Sequence, residues 1–183
     1  TGSGKTLVYF KRIKDIIDND LQVLILLPEI ALTNQFSRRF KEFFGSEPAI
    51  WHSGTGKKNK SIIWKGVTEN KIKIVVGARS SLFLPFSNLG LIVVDEEHDA
   101  SYKQDEGVSY NARDMAITRA SLENIPINLV TSIPSIETYN NIISKKYHVT
   151  KLKKRYREAS LPSIEIINLN SETLNKDSWI ANK

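Results

Sequence analysis

Two groups of residues carry the chemistry open to this sequence. The first is Gly2-Ser3-Gly4-Lys5-Thr6, the second half of a G-x-x-x-x-G-K-[ST] phosphate loop whose leading glycine would lie two positions before Thr1. Glycines let successive backbone N–H groups turn inward around phosphate oxygens, and the helix that follows adds its positive N-terminus. In such a loop Lys5 reaches the β- and γ-phosphates and the Thr6 hydroxyl ligates Mg²⁺. The competing reading is a glycine-rich turn beside an ordinary helix. The second group is Asp95-Glu96-Glu97-His98, which follows directly on the apolar run 91–94. Consecutive acids at the end of a buried strand are costly unless they bind something. The competing reading here is a solvated acidic turn. Taken together, the two groups predict nucleoside triphosphate hydrolysis, with Asp95 on Mg²⁺ and Glu96 polarising the attacking water.

These groups need elements to hold them in place, and the hydrophobic periodicity supplies them. Apolar positions at Tyr9, Ile13, Ile16 and Ile17 follow one face of a helix after the phosphate loop. The continuous run Gln22-Val-Leu-Ile-Leu-Leu27, closed by Pro28, reads as a strand buried on both faces. A helix with Leu32, Phe36, Phe40, Phe43 and Phe44 inward comes next, then a short strand at Ala49-Ile-Trp51 and a basic helix around Lys57 to Lys65. Segments 71–77 and 91–95 read as strands, and 111–123 as a helix with Ala112, Met115, Ala116 and Ala120 on one side. A strand at 126–131, a helix marked by Ile136, Tyr139 and Ile143, and a last strand at 164–169 complete the series. Strands alternating with helices imply βαβ crossovers and a mainly parallel sheet flanked by helices: a three-layer α/β fold. The acidic group then falls at the carboxyl edge of the sheet, where open α/β folds bind ligands.

Several of these segments also carry a resemblance. Thr-Gly-Ser-Gly-Lys-Thr at 1–6, Leu-Pro-Glu-Ile-Ala-Leu-Thr at 27–33, Gly-Ala-Arg-Ser-Ser-Leu-Phe at 77–83 and Asp-Glu-Glu-His at 95–98 stand in the order of superfamily 2 helicase motifs I, Ia, Ib and II. More specific words are Trp51-His-Ser-Gly54, the segment 85–91, Ser101-Tyr-Lys-Gln104, Asn111-Ala-Arg-Asp114 and Leu122-Glu-Asn-Ile-Pro126. These resemble the PriA family of bacterial replication-restart helicases, primosomal protein N′. The resemblance covers residues 1–170. It implies a RecA-like P-loop motor lobe, ATP and Mg²⁺ as cofactors, and a 3′→5′ DNA helicase acting at stalled forks with primosome and single-strand-binding proteins. It places Thr33, Arg79, Ser80, Tyr102 and Lys103 on DNA, and His98 between the nucleotide site and motif III. Motif III itself, Thr131-Ser132-Ile-Pro-Ser135, would couple ATP turnover to DNA through Thr131 and Ser132. Family members usually carry Ser-Ala-Thr-Pro-Ser there, so Ile133 is a departure. For Arg79 the alternative is a surface ion pair, and for Tyr110 a cap on a small core.

The same resemblance implies a second motor lobe with an arginine finger, zinc-ligating cysteines and an N-terminal DNA-binding domain, none of which falls in these residues. The expected layout is therefore one lobe over 1–170 and a polar linker over 171–183. Such a lobe, a piece of a longer protein, would be inactive alone. The other readings are a different superfamily 2 translocase, or a split gene product that only binds.

Composition is compatible with this and excludes other classes. The 183 residues hold 26 Lys+Arg against 20 Asp+Glu, a formal charge of +6, with 40% hydrophobic residues and no cysteine. A disulfide framework is excluded, and with three histidines a structural zinc site within this chain is not expected. No apolar run approaches the roughly 20 residues of a membrane span, so a cytoplasmic protein with no membrane partner is expected. Seven Lys and Arg with no acid lie between Lys145 and Arg157, and the rest of the chain has one acid more than it has bases.

Overall fold

The alternating strands and helices build a five-stranded, wholly parallel sheet in the order β2-β3-β1-β4-β7. The computed structural model describes residues 4–28, 31 and 34–152. In chain order the sheet strands are β1 (Gln22–Leu26), β2 (Ala49–Trp51), β3 (Ile74–Gly77), β4 (Leu89–Asp95) and β7 (Ile127–Val130). The helices are α1 (Lys5–Asp18), α2 (Asn34–Phe44), α3 (Lys57–Thr68), α4 (Ala112–Leu122) and α5 (Ile136–Ile143). A short antiparallel hairpin, β5 (Lys103–Gln104) with β6 (Tyr110–Asn111), stands apart from the sheet. Sequence periodicity does not foretell the hairpin, because two-residue strands leave no pattern to read. The expected strand at 164–169 and the linker at 171–183 lie outside the described residues.

The continuous apolar runs are explained by two cores, one on each face of the sheet. Side chains alternate faces along a strand. Val23, Ile25 and Leu27 therefore join Leu91, Val93 and Val76 on the side of α1 and α2. Leu24, Leu26, Val75, Ile92 and Val94 face the opposite side, where Ile63 and Val67 of α3 and Ala112, Ala116 and Ala120 of α4 close over them. On the first face Phe10 is ringed by Phe36, Phe40, Phe43 and Phe44 at centroid distances of 5.1–5.9 Å. Edge-on pairs of this kind add about 0.5–1.5 kcal/mol each beyond area burial.

Two of the apolar stripes are not wholly covered. Met115 is exposed, unlike the alanines of α4, and with Phe83 and Leu122 lines an open apolar groove of about 320 Å³. Position 115 falls three residues past Ala112 and sits at the rim of the buried stripe, where a long side chain reaches out of the interface. The stripe that marks α5 is also turned outward: Ile136, Tyr139 and Ile143 are all exposed.

The sheet sets the site through the lengths of β1, β3, β4 and β7, whose carboxyl ends terminate together. Val130 is in register with Asp95, and Gly77 with Leu26. Gly77 is required at its position, since a Cβ would come within 2.5 Å of the Trp51 carbonyl and 2.6 Å of Ser81 Cβ.

Candidate nucleotide site and nucleic-acid face

α1 begins at the carboxyl edge of the sheet. Gly4, with φ 80°, turns the chain into the helix, so Lys5 and Thr6 stand in its first turn. A positive φ at that point favours glycine because it has no Cβ to clash. Lys5 Nζ lies 3.2 Å from Glu96 Oε1 and 2.5 Å from Ser132 Oγ. Thus the first turn of α1, the end of β4 and the loop after β7 meet on one ammonium group. Asp95 ends β4, and its carboxylate accepts from Tyr9 Oη at 3.0 Å and from the Glu96 N–H at 3.0 Å. Burial pushes the Asp95 carboxyl above its ordinary range, and the neighbouring Glu96 charge adds to this, while the Tyr9 hydrogen bond opposes it. Burial also drives the Tyr9 phenol far up, with the Asp95 charge acting in the same direction, so Tyr9 stays a donor. Glu96 adopts φ 49°, a left-handed conformation at a non-glycine residue. Such backbone strain concentrates at functional sites. Here it turns the chain sharply after the strand, with the Asp99 N–H bonded back to the Glu96 carbonyl at 2.8 Å.

The residues after Asp95 interleave with the 131–135 loop. The Glu97 N–H donates to the Val130 carbonyl at 3.1 Å. Its carboxylate is fully buried and accepts from the Ser135 N–H (2.8 Å), Ser135 Oγ (3.0 Å), Thr138 Oγ1 (3.0 Å) and Arg113 Nη1 (3.4 Å). His98 Nδ1 lies 2.7 Å from Thr131 Oγ1, which itself donates to the Ile133 carbonyl. Glu96, Glu97 and His98 thus reach Lys5, Ser135 and Thr131 in turn. Ile133, the departure from the family pattern, is 72% exposed. Neither Tyr9 nor the Glu97–Arg113 pair stands out in the sequence as part of a site. One signal for Tyr9 was available, since it follows Thr6 by three residues and so shares its helix face.

The residues expected on nucleic acid are placed unevenly. Arg79 and Ser80 open a 3₁₀ turn (Arg79–Phe83) at the carboxyl end of β3. Arg79 Nη1 donates to the Lys103 carbonyl at 2.7 Å, and Ser80 Oγ accepts from Trp51 Nε1 at 3.2 Å. Neither contact is the surface ion pair considered for Arg79. Lys103 is exposed and pairs with Asp105 at 3.0 Å. Tyr102 is corrected: it is 1% exposed, and its single hydroxyl proton is shared between the carbonyls of Asp95 (2.6 Å) and Leu26 (3.0 Å). A ring so enclosed offers no face to a base, and Tyr102 instead fastens the ends of β1 and β4 from beneath. Tyr110 is half-buried against the core and meets Phe83 edge-on at 5.6 Å. Gly2, Ser3 and Thr33 lie outside the described residues.

Thr6 and Asp95 fit Mg²⁺, a hard cation that is ordinarily held by one or two protein oxygens together with substrate phosphates and water. Among the described residues no cluster of three or more His, Asp or Glu could form a protein cage for a metal.

Lys5, Asp95 and Glu96 thus lie together at the carboxyl edge of a parallel sheet. The chain belongs to the DEAD/DEAH box helicases, whose family profile matches residues 1–139. It is 53% identical over 181 residues to the Replication restart protein PriA of Rickettsia conorii, a match that covers 99% of this chain and 28% of that protein. To the protein of the same name from Bacillus subtilis it is 38% identical over 175 residues, covering 96% of this chain and 22% of the relative. The chain therefore spans about a quarter of the length of these relatives. Among solved structures, RecG bound to a three-way DNA junction superposes with a TM-score of 0.54 at 23% identity, over 76% of this chain and 18% of that one. That likeness concerns the fold alone. No helix among the described residues is long and apolar enough to cross a membrane.

Proposed function

We propose that this chain is the first motor lobe of an ATP-dependent 3′→5′ DNA helicase that acts in replication restart, working in the cytoplasm with primosome and single-strand-binding proteins. The observation that carries the nucleotide reading is the meeting of Lys5, Glu96 and Ser132 beside Asp95. In this reading Gly2, Ser3, Gly4, Lys5 and Thr6 cradle the phosphates, and Thr6 and Asp95 hold Mg²⁺. The ion, when bound, neutralises charge developing on the transferred phosphoryl group. Phosphate oxygens compete with Glu96 for the Lys5 ammonium, which frees the Glu96 carboxylate to orient the attacking water. His98 and Thr131 carry the state of the site into the loop that holds Ser132. Thr33, Arg79, Ser80 and Lys103 supply backbone contacts to DNA, as short hydroxyls and cations do. The identity to proteins named for replication restart supports the choice of DNA over other substrates. Zinc belongs to this reading only through parts of the relatives that this chain does not match.

The test is binding of a fluorescent ATP analogue with Mg²⁺. Lys5→Ala is expected to weaken binding at least tenfold, while the 183-residue chain is expected to hydrolyse ATP slowly and not to unwind a fork, because stabilising the transition-state charge calls for an arginine finger supplied from outside the site. Unchanged binding by Lys5→Ala would remove the basis of the proposal.

A further inference from the structure

Between Glu47 and Glu69 the sequence contains no acid and four lysines: Lys57, Lys58, Lys60 and Lys65. All four fall on α3. Lys65 lies 3.7 Å from Glu69, but among the described residues Lys57, Lys58 and Lys60 have no carboxylate within ion-pair distance. A merely solvated helix face usually intersperses charges of both signs, which give i,i+4 pairs. This face does not.

Aromatic rings lie along the same face. α3 buries Ile63, Gly66 and Val67. At helical spacing Lys57, Lys60 and Trp64 stack one above another along the edge of that buried stripe. Trp64 is 50% exposed, an unusual position for so large an apolar ring. Its centroid is 6.5 Å from that of Trp51, and Lys60 Nζ sits 5.7 Å from the Trp51 centroid. Trp51 ends β2 at the carboxyl edge of the sheet, and its indole N–H donates to Ser80 Oγ. An unbroken track thus runs from Arg79 and Ser80 over Trp51 to Lys60, Trp64 and Lys57.

We infer that single-stranded DNA continues beyond Arg79 and Ser80 onto α3, with bases resting on the Trp51–Trp64 ledge and backbone phosphates on Lys57 and Lys60. This rests on the DNA reading proposed above. Cations without carboxylate partners beside a half-exposed ring suit sequence-tolerant single-strand binding: cations track the backbone and rings stack on any base. Arg79 would hold the strand at one end and α3 at the other.

The experiment measures binding of a fluorescein-labelled oligo-dT to the 183-residue chain by anisotropy across a salt series, with the fold of each variant checked by circular dichroism. Each phosphate contact on a single strand contributes about 0.7 to the slope of log K against log salt. The double variant Lys57→Gln/Lys60→Gln should therefore flatten the slope by about 1.4 and weaken low-salt binding at least tenfold. Trp64→Ala should weaken binding at least fivefold with the slope unchanged, and Trp64→Phe should restore most of the loss, since stacking needs a ring and not an indole. If Arg79→Ala weakens binding while every α3 variant binds like the parent, the ledge is overturned and the DNA reading stands. If the parent chain binds no oligo-dT at low salt, both fall.

Discussion

Asp95 is a carboxylate kept at a cost. Its burial at the end of β4 raises its proton affinity, so on raising the pH the unfolded chain loses this proton before the folded chain does. Over the interval between the two ionisations, stability falls with rising pH. Asp95→Asn removes that loss while its one amide oxygen still accepts from either Tyr9 or the Glu96 N–H, and the melting temperature of the free chain at pH 7 should rise. The same substitution should abolish the Mg²⁺ dependence of nucleotide binding, because an amide oxygen is a poor substitute for a carboxylate on a hard cation. A fall in melting temperature together with retained Mg²⁺ dependence would show that Asp95 is a structural residue. Glu97 presents the opposite case, a carboxylate whose burial is met by four donors. Removing one partner of a buried ion pair costs about 3–5 kcal/mol. Glu97→Ala should approach that loss in urea denaturation, leaving the Ser135 N–H without its acceptor and Arg113 with Asp114 and Ser135 Oγ but no buried carboxylate. Glu97→Gln, which keeps an acceptor oxygen, should lose markedly less. Equal losses would mean that the cavity, not the hydrogen bonds, sets the cost.

At the scale of elements, the site depends on strands that end together and on turns that leave their ends by tight paths. The 3₁₀ turn carrying Arg79 and Ser80 can fold back against β2 only because Gly77 presents no side chain to the Trp51 carbonyl and Ser81. Gly77→Ala is expected to cost about 1–3 kcal/mol through overpacking, read as a lower urea midpoint at unchanged m-value. It should also displace Arg79 from the Lys103 carbonyl. A midpoint like the parent's would mean that the turn has room to relax. α1, by contrast, needs only Gly4 and its apolar stripe, and the sequence shows both.

Across the whole molecule, the parallel sheet and its two helical layers were legible because each strand is a run of apolar residues and each core-facing helix an apolar stripe. The runs 22–27 and 91–94 are apolar on both pleats, and the structure buries both pleats. The direction of the α5 stripe was not legible, because periodicity reports which residues share a face and not what covers it. The charge of +6 proved equally uninformative as a total. Part of it is concentrated on α3, while the larger basic stretch runs from Lys145 past the last described residue.

The sequence by itself determined the fold class, the glycine-led start of α1 that carries Lys5 and Thr6, and the acidic strand end, since each depends on residue type and short-range spacing. Tertiary structure alone decided which partners those groups have. It drew Tyr102 out of the expected nucleic-acid face and under the sheet, and brought Tyr9 to Asp95 across 86 positions of chain. It also set Ser132 against Lys5 from 127 positions away and clamped Glu97 between Arg113 and Ser135. Such contacts arise where a parallel sheet gathers the ends of distant strands at one edge, and no local pattern along the chain records that gathering.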